Sequence, residues 1–355
     1  MRRAWRIGIV NRRDVLGLLA AGLTVARSRL VHGNSPTIVP RARVIIDNDF
    51  AGDPDGLFQA AHHLLSPSVD VRFLLGSHLH RGESWGPSQE LSAAASAAKA
   101  RELLQVMELA GRVPVLAGAP AALATTRNVA HTDAADAIIQ EALRDDTDLP
   151  LYYAAGAGLT DLATAWLLEP RIARRLTLVW IGGPEYAGAS RPPGRRESEY
   201  NMSIDVPAAQ EVFNRSEVRL WQVPRSTYRQ MLVGYQELQE RVRPMGTLGV
   251  YLMDNVERVM RLIAQLPPER RMNPGEAYIL GDSPLVTLTA LQSPFQPDPS
   301  SSQWEARPRP TIDALGEYGS AHTRQPIRVY TRIDARLTFE DLYAKLAQHA
   351  GRRPG

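Results

Sequence analysis

Residues 43–56 read RVIIDNDFAGDPDG, Arg43 through Gly56. The β-branched run Val44, Ile45, Ile46 ends in acids, so it reads as a core strand that delivers Asp47 and Asp49 to its C-terminal edge. A glycine-marked loop follows to Gly56, and Leu57, Ala60, Ala61, Leu64 and Leu65 then recur at helical spacing. The same strand–helix alternation continues outward. Strands are expected at 69–76, 114–116, 151–155, 176–181 and 219–223, and helices at 91–110, 134–143, 161–168 and 206–213. A helical stretch is expected over 226–265, an extended excursion over 294–312, a last strand over 329–336 and a closing helix over 338–349. Strand and helix in repeated alternation predict a single-domain α/β fold, a mostly parallel sheet with helices on both faces, spanning 40–350. In such sheets ligands bind at the C-terminal strand ends.

The acids at that first strand end are the densest chemical signal. Asp47, Asp49, Asp53 and Asp55 fall within nine residues. Four carboxylates so close repel one another unless something positive sits among them, and a hard cation such as calcium, bound through oxygen, would resolve the repulsion. The alternative is that they are cap and turn residues. The spacing is not that of an EF-hand loop, and neither a Gly-x-Gly-x-x-Gly nor a phosphate-loop motif occurs. Lysine is nearly absent, Lys99 and Lys345 only, which disfavours Schiff-base chemistry, and the absence of Cys excludes thiolate nucleophiles, disulfides and Cys-ligated metals.

The net charge of +3 comes from the leader. Residues 1–30 hold seven Arg and one Asp, leaving 34 basic against 37 acidic residues from 31 onward. No nucleic-acid footprint is expected of the folded part. The apolar run Val15 to Ala26 behind basic residues reads as a secretory signal, and Asn11-Arg12-Arg13-Asp14-Val15-Leu16 as a twin-arginine export signal. The expectation is an exported protein, periplasmic or extracellular, with no stable membrane insertion after leader removal, unless the leader stays as an N-terminal anchor.

Five segments together resemble the inosine–uridine-preferring nucleoside hydrolase family. They are Asp47 to Asp55, which matches the family's Asp-x-Asp-Pro-Gly-x-Asp-Asp; Gly158-Leu159-Thr160-Asp161-Leu162-Ala163 with Leu168-Glu169-Pro170; Val179 to Gly183; Glu199-Tyr200-Asn201 with Asp205, Ala208 and Ala209; and Gly281-Asp282-Ser283-Pro284-Leu285. They run in the family's order over about 45–290. The resemblance implies calcium-dependent cleavage of the N-glycosidic bond of a riboside. Asp49 and Asp282 and the main-chain carbonyl of Gly156 would be metal ligands. Glu199 and Asn201 would hold sugar hydroxyls, with Ser77 where the family has a sugar-contacting Asn. It also implies a homodimer or homotetramer acting on a small-molecule riboside.

Two departures stand out. The family's adjacent Asp pair is Asp53-Pro54-Asp55 here, which puts Asp53 at the base position and leaves Asp55 to replace the metal ligand that Pro54 cannot be. The family's His before the last Asp, tied to protonating the leaving base, is Gly281. His78, His80 and His131 are candidate substitutes. Trp85 or Trp304 could stack on a flat aglycone. His62 and His63 read as packing residues. A retained scaffold that binds a nucleoside or sugar without cleaving it is the alternative function.

Overall fold

The computed structural model describes residues 38–351 apart from 84–85, 125, 127–128, 190–197, 268–274, 293–300 and 322–324. The leader and Trp85 lie outside the described residues. Among the described residues, twelve strands occur in chain order: β1 (Arg43–Asn48), β2 (Asp70–Gly76), β3 (Val115–Ala117), β4 (Leu151–Ala155), β5 (Leu176–Ile181), β6 (Arg219–Val223), β7 (Leu232–Gly234), β8 (Ala277–Ile279), β9 (Gln303–Arg307), β10 (Pro310–Ile312), β11 (Tyr318–Ala321) and β12 (Ile327–Arg332). The helices are α1 (Asp55–Leu64), α2 (Gln89–Val106), α3 (Asp133–Ala142), α4 (Thr160–Leu168), α5 (Tyr200–Ile204), α6 (Val206–Gln210), α7 (Arg225–Tyr228), α8 (Tyr235–Arg241), α9 (Gly246–Gln265), α10 (Pro284–Val286) and α11 (Ala335–Ala350).

Eight strands form the main sheet in the order β3-β2-β1-β4-β5-β6-β12-β9. Every pairing is parallel except β12 with β9. Because successive side chains of a strand point to opposite faces, each strand feeds two cores. Val44 and Ile46 of β1 and Val179 and Ile181 of β5 join one core, with α1, α2, α9 and α11 over it. Ile45, Leu178 and Trp180 join the other, under α3, α4 and α6. A strand buried on both faces has no room for polar alternation, which is why residues 44–46 of β1 and 178–181 of β5 are continuous apolar runs.

The starts of α3, α5, α6 and α11 carry side-chain caps. Thr132 caps α3, its hydroxyl accepting from the Ala135 N–H at 3.0 Å. Thr132→Ala costs about 1 kcal/mol, to be read as a lower urea midpoint at unchanged slope; an unmoved midpoint would remove the cap from the account of α3.

The structure departs from the expected elements in three places. The 226–265 stretch is not one helical region: Leu232–Gly234 is a strand, paired antiparallel with Ala277–Ile279. The excursion at 294–312 contains β9 and β10, and β9 makes the edge of the main sheet. The last strand runs 327–332, because Asp334 already caps α11 through the Leu337 N–H at 2.8 Å.

Candidate active site

The chain turns sharply after β1. Gly52 N–H donates to the Asp49 carbonyl at 2.8 Å, and a Cβ on Gly52 would stand 2.6 Å from Leu79 Cδ2, so a side chain there would have to displace Leu79. Pro54 then sits at the cap of α1 with φ −73°, where a missing N–H costs little. Asp53 Oδ1 accepts from the Asp55 N–H at 3.1 Å, which ties the base candidate to the first turn of the helix.

The ends of β1, β4 and β5 and the segments 199–201 and 281–282 enclose a cavity of about 190 Å³. Its walls include Asp49, Asp53, Asp55, Gly156, Glu199, Asn201 and Asp282. Seven of the nine residues singled out from the sequence therefore meet at one place, from positions spread over 234 residues of chain. Ser77 does not line this cavity: its hydroxyl donates to Asp47, whose second oxygen accepts from Tyr153 at 2.5 Å. Trp85 falls outside the described residues.

The carboxylates are linked to one another. Asp55 Oδ2 accepts from the Asp282 N–H at 3.2 Å, and Asp282 Oδ2 accepts from Asn48 Nδ2 at 2.7 Å. Asp53 Oδ1 also accepts from the Tyr278 hydroxyl at 3.0 Å. Burial raises Asp49, Asp53, Asp55 and Asp282 above the ordinary carboxylate range. After burial, Asp282 and Asp53 push Asp49 up further, and Asp282, Asp53 and Asp49 do the same to Asp55. Asp282 is pushed to about 7, chiefly by burial, with the Asn48 amide opposing. Carboxyl groups are thus collected here without a protein cation hydrogen-bonded to them among the described residues.

Glu199 and Asn201 are fixed by the backbone around them. Glu199 Oε2 accepts from Gly183 N–H at 2.7 Å and Met202 N–H at 2.9 Å; Oε1 accepts from the Tyr228 hydroxyl at 2.8 Å. It caps α5 and is fully buried. Asn201 Nδ2 donates to the carbonyls of Ile181 at 2.7 Å and Gly156 at 3.2 Å, so it joins the ends of β4 and β5. Gly156 has no space for a side chain, since a Cβ would lie 2.6 Å from Asp282 Oδ2.

The donor set tests well against a hard cation: it is all oxygen, mutually repelling, and includes a main-chain carbonyl with a lone pair left after Asn201. The oxygens are not gathered into a closed cage, and among the described residues no three His, Asp or Glu side chains stand in ready ligand geometry.

Among the described residues no histidine lines the cavity. His78 bonds Thr160 Oγ1 at 2.9 Å, and His131 pairs with Asp136 at 2.7 Å on the surface. His80 lies 6.1 Å from the Tyr200 ring, centroid to centroid. His62 and His63 are buried packing residues, bonded to Asp341 and to Gln59 and Thr289. Trp304 sits on β9 against Arg328, 4.5 Å from ring centroid to guanidinium, away from the cavity. What the sequence reading missed is Tyr200, Tyr228, Arg229 and Ile279 on the wall and Tyr278 behind Asp53. One signal pointed that way: the glycine at 281 leaves space, and the Tyr228 ring occupies it, with Cδ2 3.3 Å from where a Gly281 Cβ would be.

A sequence-family model described as inosine-uridine preferring nucleoside hydrolase matches residues 44–335. No curated protein matches the chain. Similar solved structures include a plant nucleoside hydrolase, 18% identical over 87% of this chain and 99% of that one, TM-score 0.64. A purine-preferring ribonucleoside hydrolase from Gardnerella vaginalis is 16% identical over 87% and 99%, TM-score 0.66. An inosine-uridine preferring nucleoside hydrolase from Bacillus anthracis is 15% identical over 86% and 99%, TM-score 0.56.

Proposed function

The chain belongs to the inosine-uridine preferring nucleoside hydrolase family and is by that membership an N-glycosyl hydrolase; from this premise we propose that it cleaves the C1′–N bond of a ribonucleoside or related riboside, with calcium as cofactor and Asp53 as base. The observation that carries the reading is the convergence of Asp49, Asp53, Asp55, Asp282, Glu199, Asn201 and the Gly156 carbonyl on one cavity. Asp49, Asp55, Asp282 and that carbonyl would hold the ion, Asp55 standing in for the ligand lost at Pro54. Calcium, when bound, supplies positive charge that offsets the carboxylates and acidifies water.

The protein's own groups do the rest. Tyr278 and the Asp55 N–H hold Asp53 Oδ1, fixing the orientation of the carboxylate. Asp53 takes the proton of the attacking water as its oxygen bonds to C1′. The C1′–N electron pair leaves with the base. The transition state resembles an oxocarbenium ion, so the surrounding negative charge stabilises it in a site shielded from bulk water. Glu199 and Asn201 orient the sugar, and their own backbone bonds keep them in place without reorganisation. The enzyme is proposed to be exported and to assemble as a homodimer or homotetramer.

The test is release of free ribose by the full-length protein from a panel of purine, pyrimidine and modified ribosides, with calcium and with a chelator. Turnover in calcium that chelation abolishes is the expected result. No release from any riboside in calcium would end the reading.

A further inference from the structure

We propose that Arg229 is an anion-binding, specificity-determining residue, and that the substrate is a riboside bearing a negatively charged group outside the ribosyl unit. The inference rests on the riboside-hydrolase reading above and narrows its substrate class. A second depression, about 760 Å³, adjoins the carboxylate cavity along the C-terminal ends of β6 and β12, where Pro224, Val329, Tyr330 and Thr331 line it. Arg229, exposed at the end of α7, is the one residue that lines both spaces among the described residues.

Size argues that the two spaces serve one ligand. Pockets for whole small molecules usually hold roughly 300–1,000 Å³, while the carboxylate cavity holds about 190 Å³. That suits a ribosyl unit and leaves the remainder of the substrate to extend past Arg229.

Charge argues what the remainder is. Three arginines line the groove, Arg225, Arg229 and Arg307, against one acid, Glu185. Arg225 is consumed by Glu185 in a buried two-point pair, 2.6 and 2.7 Å. Arg307 lies over the Tyr186 ring at 4.8 Å and reaches Glu305 at 2.7 Å. The Arg229 guanidinium makes no hydrogen bond or ion pair with any described residue, although five carboxylates line the cavity beside it. An anion could not sit among those carboxylates, but on the groove side of Arg229 it would meet a guanidinium whose donors no described residue takes up. A neutral riboside would leave that cation unused.

Two positions of the charge share this chemistry, a phosphate on C5′ and an acid on the aglycone. Full-length protein is assayed for kcat/KM on inosine and uridine, on their 5′-monophosphates, and on orotidine, and for Kd by calorimetry on the same compounds in calcium. The expected result is that one anionic arm is preferred over its neutral counterpart by roughly tenfold at low salt, the size of a charge-assisted hydrogen bond. Arg229→Gln then removes most of that ratio and Arg229→Lys keeps much of it. Preference for the monophosphates places the anion at C5′, and preference for orotidine places it on the base. Neutral ribosides matched or favoured over both arms, or an anionic-to-neutral ratio untouched by Arg229→Gln, would overturn the inference. If nothing is cleaved but an anionic riboside binds more tightly in an Arg229-dependent way, the subsite stands and the hydrolase reading falls.

Discussion

Asp53→Asn lowers kcat for riboside hydrolysis by about 10²–10⁴-fold, the span over which a positioned general base contributes, with KM little changed. The replacement is nearly isosteric. Its amide oxygen still accepts from Tyr278 and from the Asp55 N–H, as Asp53 Oδ1 does at 3.0 and 3.1 Å. What it cannot do is take a proton from water. Stability should hold or rise, because burial already disfavours the charged form of Asp53. Thermal unfolding of the variant separates the two effects: a kcat loss with an unmoved melting temperature assigns Asp53 to chemistry. A variant that keeps a third or more of wild-type kcat would remove Asp53 from the role of base and put Asp55 or Asp49 forward.

The second large effect is on stability in the absence of metal. Asp282 titrates near 7 in the fold, where burial raises it from 3.8. Between those values the folded protein holds a proton that the unfolded chain has released. The stability this represents is full below about pH 4 and is lost as pH rises through about 7, on the order of a few kcal/mol. Asp47, pushed to about 8 by burial and by Asp161, has the same sign and extends the window upward. In chelator the melting temperature should therefore fall between pH 5 and 8. Asp282→Asn should flatten the slope, and calcium should restore more stability at pH 8 than at pH 5, since only ionised carboxylates bind it. A melting temperature that climbs from pH 5 to 8 in chelator would contradict the charge balance described for the site.

The legible parts of the molecule were those written in consecutive residues. Residues 44–46 of β1, 151–155 of β4 and 178–181 of β5 are apolar runs because both faces of the sheet are covered there, and the acids of the site follow the β1 run directly in sequence. Asp282, Glu199 and Asn201 are isolated polar residues in ordinary surroundings, and only their likeness to family segments marked them. Tyr228 ends a four-residue helix, Arg229 follows it, and Tyr278 comes from a three-residue strand. Elements that short have no periodicity to read, and they exist through long-range pairing, Val233 with Tyr278 for example. β9 hid for the same reason: it sits in a Pro- and Ser-rich stretch and is a strand only because β12 lies beside it. Ser77 was expected to contact the sugar. The β1–β2 register sets Asn48 opposite Gly76, and the serine that follows turns its hydroxyl to Asp47 instead.

The place of β12 in the sheet bears on how the protein comes to exist at all. Every residue assigned to the cavity precedes position 283, yet the strand between β6 and β9 is drawn from 327–332. There Arg328 lies between the rings of Trp221 and Trp304, 4.6 and 4.5 Å away. A nascent chain that has emerged from the ribosome through residue 300 thus carries every candidate catalytic side chain but presents β6 as an open edge, with the core beneath α11 uncovered. The sheet and its core are completed only by β12 and α11, so a chain cut before residue 327 is expected to leave an open apolar edge rather than a smaller enzyme.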